Sequence, residues 1–333
     1  MDNIRLYLIP KSSTLDSKNG IKIYPSINNK LNMIMFGFVD ILNKIPNEDD
    51  IDPKSKICLP LDILMLSPQE ISNNKKKHNE QSSSEFNISV KSIKSIKSIK
   101  SIETYFELYE ITKIFYPHFS KKGKNILFIA NKFDDIIQNV FTSMKISNIK
   151  ITNKKSDADI MFMFIDNFIT DTDNIKNFIS NKEGSSLIIE CSLLYDIRDI
   201  NVLNYLMNNF EFTYIYKPFS SSPLNNKYYI IMVNLLPSMI IDVDKLNKPI
   251  TETSVEIYNH IKCINSKIIG DTISTYGKIK NYIDSQNYFG YFYDSQIERQ
   301  KNNANIWIDT FIKKDNDSFN EYFKKFTNQI CQY

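Results

Sequence analysis

A mostly parallel α/β sheet is predicted by three observations: continuous apolar runs of strand length, helical patterns alternating with them, and one pair of runs joined too tightly for a crossover helix. The runs cover residues 125–130, 159–165 and 185–190, with a short strand at 148–152. Helical patterns fall at 133–145, around 174–181 and at about 197–210. Strands apolar on both sides and separated by helices are the pattern of a parallel sheet covered on both faces. A helix over 104–115 precedes them, with Tyr105, Leu108, Tyr109 and residues 111–115 as its apolar face. The runs 212–216 and 228–234 are linked by Lys217-Pro218 and a short Ser- and Asn-rich stretch, so they are expected to pair as an antiparallel hairpin at the end of the sheet. From Thr251 onward, Ile- and Tyr-rich segments with helical spacing predict a helical C-terminal region.

The chain divides accordingly into an N-terminal segment (1–70), a low-complexity insert (71–102), the α/β domain (103–240) and the helical region (241–333). The N-terminal segment holds a short β-type run at 21–24 and an apolar stretch at 31–42 that suits a buried helix. Within the insert, the Lys-Ser-Ile triplets from Lys91 give neither helix nor strand a fixed apolar side, which predicts disorder. Its lysines offer RNA phosphates a salt-sensitive, sequence-blind contact, although a solvated linker is the simpler reading.

With 41 Lys+Arg against 38 Asp+Glu, bulk charge does not advertise a nucleic-acid binder. The 7 glycines are too scattered for a Walker A loop or a GxGxxG fingerprint. Cys58, Cys191, Cys263 and Cys331 lack both zinc-site spacing and disulfide-scaffold density, which favours a reducing compartment. His78, His118 and His260 are isolated and read as structural. The N-terminus lacks a signal-peptide pattern, and the longest apolar stretch, 228–241, is interrupted by Asn234 and Pro237. A soluble cytoplasmic protein without membrane or metal is expected.

Two stretches carry a family resemblance. Gly184-Ser-Ser-Leu-Ile-Ile-Glu190, followed by a helix and then by Lys217-Pro218-Phe-Ser-Ser-Ser-Pro223-Leu-Asn-Asn-Lys227-Tyr-Tyr229, resembles the second half of the FtsJ-type ribose 2'-O-methyltransferases. Glu107-Leu-Tyr-Glu110-Ile111 resembles the family's K-L-x-E-I helix. The resemblance spans about residues 104–236 and implies a Rossmann-like methyltransferase sheet, parallel with one antiparallel terminal hairpin. It also implies a Lys-Asp-Lys-Glu tetrad in which a lysine of lowered pKa deprotonates a ribose hydroxyl. Here Glu107 stands at the first lysine, Glu190 at the second and Lys227 at the glutamate, while Asp166 corresponds to the aspartate with its register displaced. The family's Gly-rich S-adenosylmethionine loop is replaced by Ala130-Asn131-Lys132-Phe133-Asp134-Asp135. The fold is therefore expected to be degenerate, with no catalysis and no cofactor; a divergent S-adenosylmethionine-dependent cap 2'-O-methyltransferase is the alternative.

Residues 140–160 resemble more narrowly the small, regulatory subunit of poxvirus-type mRNA-capping enzymes, and the short spacing between the strands at Ile149 and Asp159 leaves one strand-helix unit of the usual enzyme missing or displaced. That resemblance implies a heterodimer in which this chain binds the large capping subunit and stimulates its guanine-N7 methyltransferase. The C-terminal aromatics Tyr282, Tyr288, Phe289, Tyr291, Phe292, Tyr293 and Trp307 can pack a core, anchor a protein interface or stack RNA bases. Tyr291 and Trp307 are the expected partner anchors.

Overall fold

Side chains on successive strand residues point to opposite faces, so a strand apolar throughout needs a layer of helices on each side. The computed structural model meets that need with three layers. It describes residues 5–9, 20–22, 44–46, 50–61, 66, 99–119, 126–129, 134–144, 146, 150–152, 158–165, 168, 182–237, 252–314 and 319. The strands are β1 (Arg5–Ile9), β2 (Gly20–Lys22), β3 (Ile126–Ile129), β4 (Lys150–Thr152), β5 (Ile160–Phe164), β6 (Ser186–Ser192), β7 (Phe210–Lys217), β8 (Lys227–Leu235) and β9 (Glu252–Ser254). The helices are α1 (Ile99–Phe119), α2 (Asp134–Ser143), α3 (Ile197–Met207), α4 (Val255–Ser285) and α5 (Tyr291–Trp307).

Among the described residues, seven strands form one open mixed sheet in the order β1-β7-β8-β6-β5-β3-β4. β4, β3, β5 and β6 run parallel. β8 is antiparallel to both β6 and β7. Leu187 and Ile189 of β6, with Ile230 and Met232 of β8, face α3 and the Ile257, Ile261, Ile264 and Ile268 stripe of α4. The alternate residues Ile188, Tyr229, Ile231 and Val233 face α1, α2 and the end of α5. Each aliphatic chain so removed from water contributes roughly 1.5–3 kcal/mol. A third, smaller core joins the 3-10 helix Pro53–Cys58 to Ile279 on the far part of α4.

Four sequence expectations are corrected here. The hairpin does not end the sheet, because β1 adds an antiparallel strand outside β7, with Arg5 opposite Lys217 and Ile9 opposite Thr213. Residues 99–102, assigned to the insert, form the first turn of α1, since a helix already committed downstream can extend through weakly patterned sequence. Phe210 opens β7 rather than closing α3, which ends at Met207. Finally, α1 has no solvent face over 104–115: every residue there is buried, Glu107 and Glu110 included. The stretch at 31–42, the helix near 174–181 and residues 71–98 of the insert lie outside the described residues.

Candidate functional site

Ligands of open α/β sheets bind at the carboxyl ends of the parallel strands. Glu190, near the end of β6, pairs with Phe164, the last residue of β5, on one side and with Tyr229 of β8 on the other. Tyr229 in turn pairs with Tyr216 of β7. The row Glu190, Tyr229, Tyr216 therefore points to one face of the sheet, and α1 descends on it. Glu103, Glu107 and Glu110 lie at i, i+4 and i+7, so they share one side of that helix.

Glu107 Oε2 lies 2.7 Å from the Tyr229 hydroxyl oxygen, and Glu190 Oε2 lies 3.1 Å from the same oxygen. One hydroxyl carries one proton and cannot donate to two carboxylates. Both contacts are made together when one carboxyl holds a proton of its own. Burial, followed by the charges of Glu103 and Glu190, pushes the Glu107 pKa up to about 8, against the lowering effects of Tyr229 and Lys217. Glu107 is therefore the protonated member near neutral pH. Lys227 Nζ donates to Glu190 Oε1 at 2.9 Å and completes the chain Glu107, Tyr229, Glu190, Lys227.

One turn further along α1, Glu110 accepts from the backbone N–H groups of Phe219 (2.8 Å) and Ser220 (2.7 Å), from Trp307 Nε1 (2.7 Å) and from the Tyr216 hydroxyl. Burial raises the Glu110 pKa, and these donors act against the shift. Glu103 accepts from Ser222 N–H at 3.0 Å. From below, the buried Lys217 donates to the carbonyls of Asn225 (2.5 Å) and Lys227 (2.9 Å), and Thr272 of α4 donates to that of Pro223 (2.7 Å). The Lys-Pro hairpin loop is thus clamped by two glutamates, Glu103 and Glu110, from one side and by a lysine and a threonine from the other.

Of the four tetrad positions, Glu107 and Glu190 meet at Tyr229 and Lys227 joins them through Glu190, while Asp166 lies outside the described residues. Asp134 opens α2, whereas Ala130–Phe133, the rest of the loop at the end of β3, lies outside the described residues. Among the described residues there is no group of three or more His, Cys, Asp or Glu side chains able to hold a metal ion, and no helix is long and apolar enough to cross a membrane.

The partner anchors separate. Trp307 is 0% exposed and packs the core instead of standing as the expected partner anchor: its ring stands edge-on to Phe106 at 5.1 Å and its N–H is bound to Glu110, so it has no surface to offer a partner. Tyr291 is 82% exposed. Sequence reasoning missed Glu103, Tyr216 and Tyr229 as site residues and assigned Glu110 no role. The available signal was acidic residues at i, i+4 and i+7 on a helix otherwise rich in large apolar residues, a pattern that requires buried donors opposite.

No family model matches the chain. Over 140 residues, 40% of this chain, it is 29% identical to the uncharacterized protein R383 of Acanthamoeba polyphaga mimivirus. The match likewise spans 40% of that relative's length.

Proposed function

We propose that this chain is a non-catalytic subunit with a degenerate methyltransferase-like fold, which binds the large subunit of an mRNA-capping enzyme and stimulates its guanine-N7 methylation. The observation that carries the reading is a buried carboxyl, Glu107, hydrogen-bonded to Tyr229 at the place where the resembled enzymes need a basic lysine. A neutral carboxyl tied to Tyr229 is a poor acceptor for a ribose proton at neutral pH, and the ammonium groups around it are both engaged, Lys217 by the carbonyls of Asn225 and Lys227 and Lys227 by Glu190. The strand order supports the same ancestry: parallel strands are followed by an antiparallel hairpin whose returning strand, β8, inserts beside β6. The short span between β4 and β5, residues 153–159, suits a sheet that lacks one strand-helix unit. Similarity to a mimivirus protein is in keeping with a viral source.

The convergence of three tetrad positions favours a second reading, a divergent cap 2'-O-methyltransferase that uses S-adenosylmethionine. Three measurements separate the two: calorimetric titration of the isolated chain with S-adenosylmethionine, methyl transfer to capped RNA by the chain alone, and co-purification with the large capping subunit. The subunit reading expects no heat, no transfer and a stable complex that methylates guanine-N7 faster than the large subunit alone. Methyl transfer by the isolated chain, abolished by Asp166→Ala, would establish the enzyme instead.

A further inference from the structure

The turn between α4 and α5 carries Phe289, Tyr291 and Phe292, which are 76%, 82% and 74% exposed. Three aromatic side chains held this far into water at one turn are unfavourable unless something covers them. The turn is not loosely attached. Gly290, at φ 86°, allows the reversal. Behind the tip, Tyr293 packs against Tyr282 (6.4 Å) and Tyr288 (6.2 Å), and Lys54 lies 5.7 Å from the Tyr288 ring centre. On α5, Gln300 donates to the carbonyls of Lys56 and Leu59, both at 3.0 Å, and so fixes the helix to the 3-10 segment. A tip supported in this way loses little conformational freedom when it docks.

From Ile283 to Ile297 the only charged residues are Asp284 and Asp294, and of the two charges that the 3-10 segment brings to Tyr288, Lys54 is offset by Asp52, so the border is acidic on balance. An aromatic tip with an acidic border repels phosphate backbones and anionic lipid, and it complements an apolar pocket rimmed by lysine or arginine. Three aromatics of this exposure offer roughly 450 Å², over half of the ~800 Å² that each side of a standard interface buries. We infer that Phe289, Tyr291 and Phe292 form the anchor that inserts into an apolar, basic-rimmed pocket of the large capping subunit. This inference rests on the proposed function above.

The test measures affinity for the purified large subunit of the capping enzyme from the same source, using the full chain. The wild type is compared with a Phe289→Ser, Tyr291→Ser, Phe292→Ser triple variant, an Asp284→Lys, Asp294→Lys variant, and a Phe212→Ser control on β7. Because the three aromatics are exposed, the triple variant keeps its fold, which circular dichroism checks. The expected loss is at least about 30-fold for the triple variant, with no change for the control. The double-lysine variant weakens binding most at low salt. If the wild type binds and the triple variant binds within about 3-fold of it, the anchor is overturned while the subunit reading stands. If the wild type does not bind, both fall. Sedimentation of the chain alone, a single-stranded RNA oligonucleotide and phosphatidylcholine vesicles are run in parallel. Tip-dependent self-association, or loss of RNA or vesicle binding in the triple variant without loss of subunit binding, assigns the tip to another occupant and overturns the inference.

Discussion

Replacing Glu107 with glutamine isolates the proton that the carboxyl chain requires. An unfolded Glu107 titrates near its ordinary value of 4.5, whereas the folded group is pushed up to about 8. Between these values the folded protein binds a proton that the unfolded chain has released, so stability falls as pH rises. Its contribution is fully present below the unfolded value and lost progressively up to the folded one. The slope is about 1.4 kcal/mol per pH unit, or ~3 kcal/mol by pH 7. Glutamine has the shape of the protonated acid and can donate to the Tyr229 oxygen in the same way, but it does not titrate. The Glu107→Gln variant should therefore gain on the wild type by roughly 1.4 kcal/mol for each unit between about pH 5 and 8, with a constant difference below that range. Urea unfolding followed by fluorescence reads this directly, because Trp307 is the only tryptophan and is buried in the core beneath α1. Parallel stability curves for the two proteins from pH 5 to 9 would refute the protonated state and, with it, the main argument against a basic site.

Trp307→Phe keeps the aromatic packing but removes the N–H donated to buried Glu110, at a cost of about 1.5–3 kcal/mol in thermal or urea unfolding, with affinity for the large subunit unchanged. Lys217→Met leaves the carbonyls of Asn225 and Lys227 without that donor and should destabilise by about 1–3 kcal/mol; a melting temperature equal to that of the wild type would show that the loop closes by itself. Among the described cysteines, exposed Cys263 should be labelled by a thiol reagent in the native protein, whereas Cys58 and Cys191, buried and with burial raising their pKa values, react only on unfolding. Peptide mapping after timed labelling checks the order.

The strands at 126–129, 160–164 and 186–192 were legible because each is a short apolar run bounded by polar residues, and burial on both faces leaves such a run little alternative. The antiparallel sense of β7 and β8 followed from the length of their connection. β1 was illegible: Arg5–Ile9 is five residues long and pairs with residues far away in sequence, a relation that no local window contains. The site divides similarly. Resemblance identified Glu107, Glu190 and Lys227, but their partner Tyr229 reads from sequence as one more residue of an apolar strand. Trp307 and Tyr291 look alike in an aromatic-rich tail; the difference between buried and exposed arises from the helix turn that faces Phe106 and from the tip that faces water.

The antiparallel attachment of β1 to β7 sets a timetable for synthesis. Ile9 leaves the ribosome about 200 residues before Thr213, its partner, which at ~5–20 residues per second is a wait of roughly 10–40 s. Two other early segments wait as well: Gly20–Lys22 for Glu252–Ser254, and the Pro53–Cys58 helix for the α5 side chains Arg299, Gln300 and Asn303, which bond to the carbonyls of residues 56, 58, 59 and 60. These segments are therefore secured only after the later partners that hold them have emerged. A chain interrupted before α5 would carry a β1 that can pair beside a 3-10 helix without its seat, a species exposed to quality control in proportion to how slowly its C-terminus arrives.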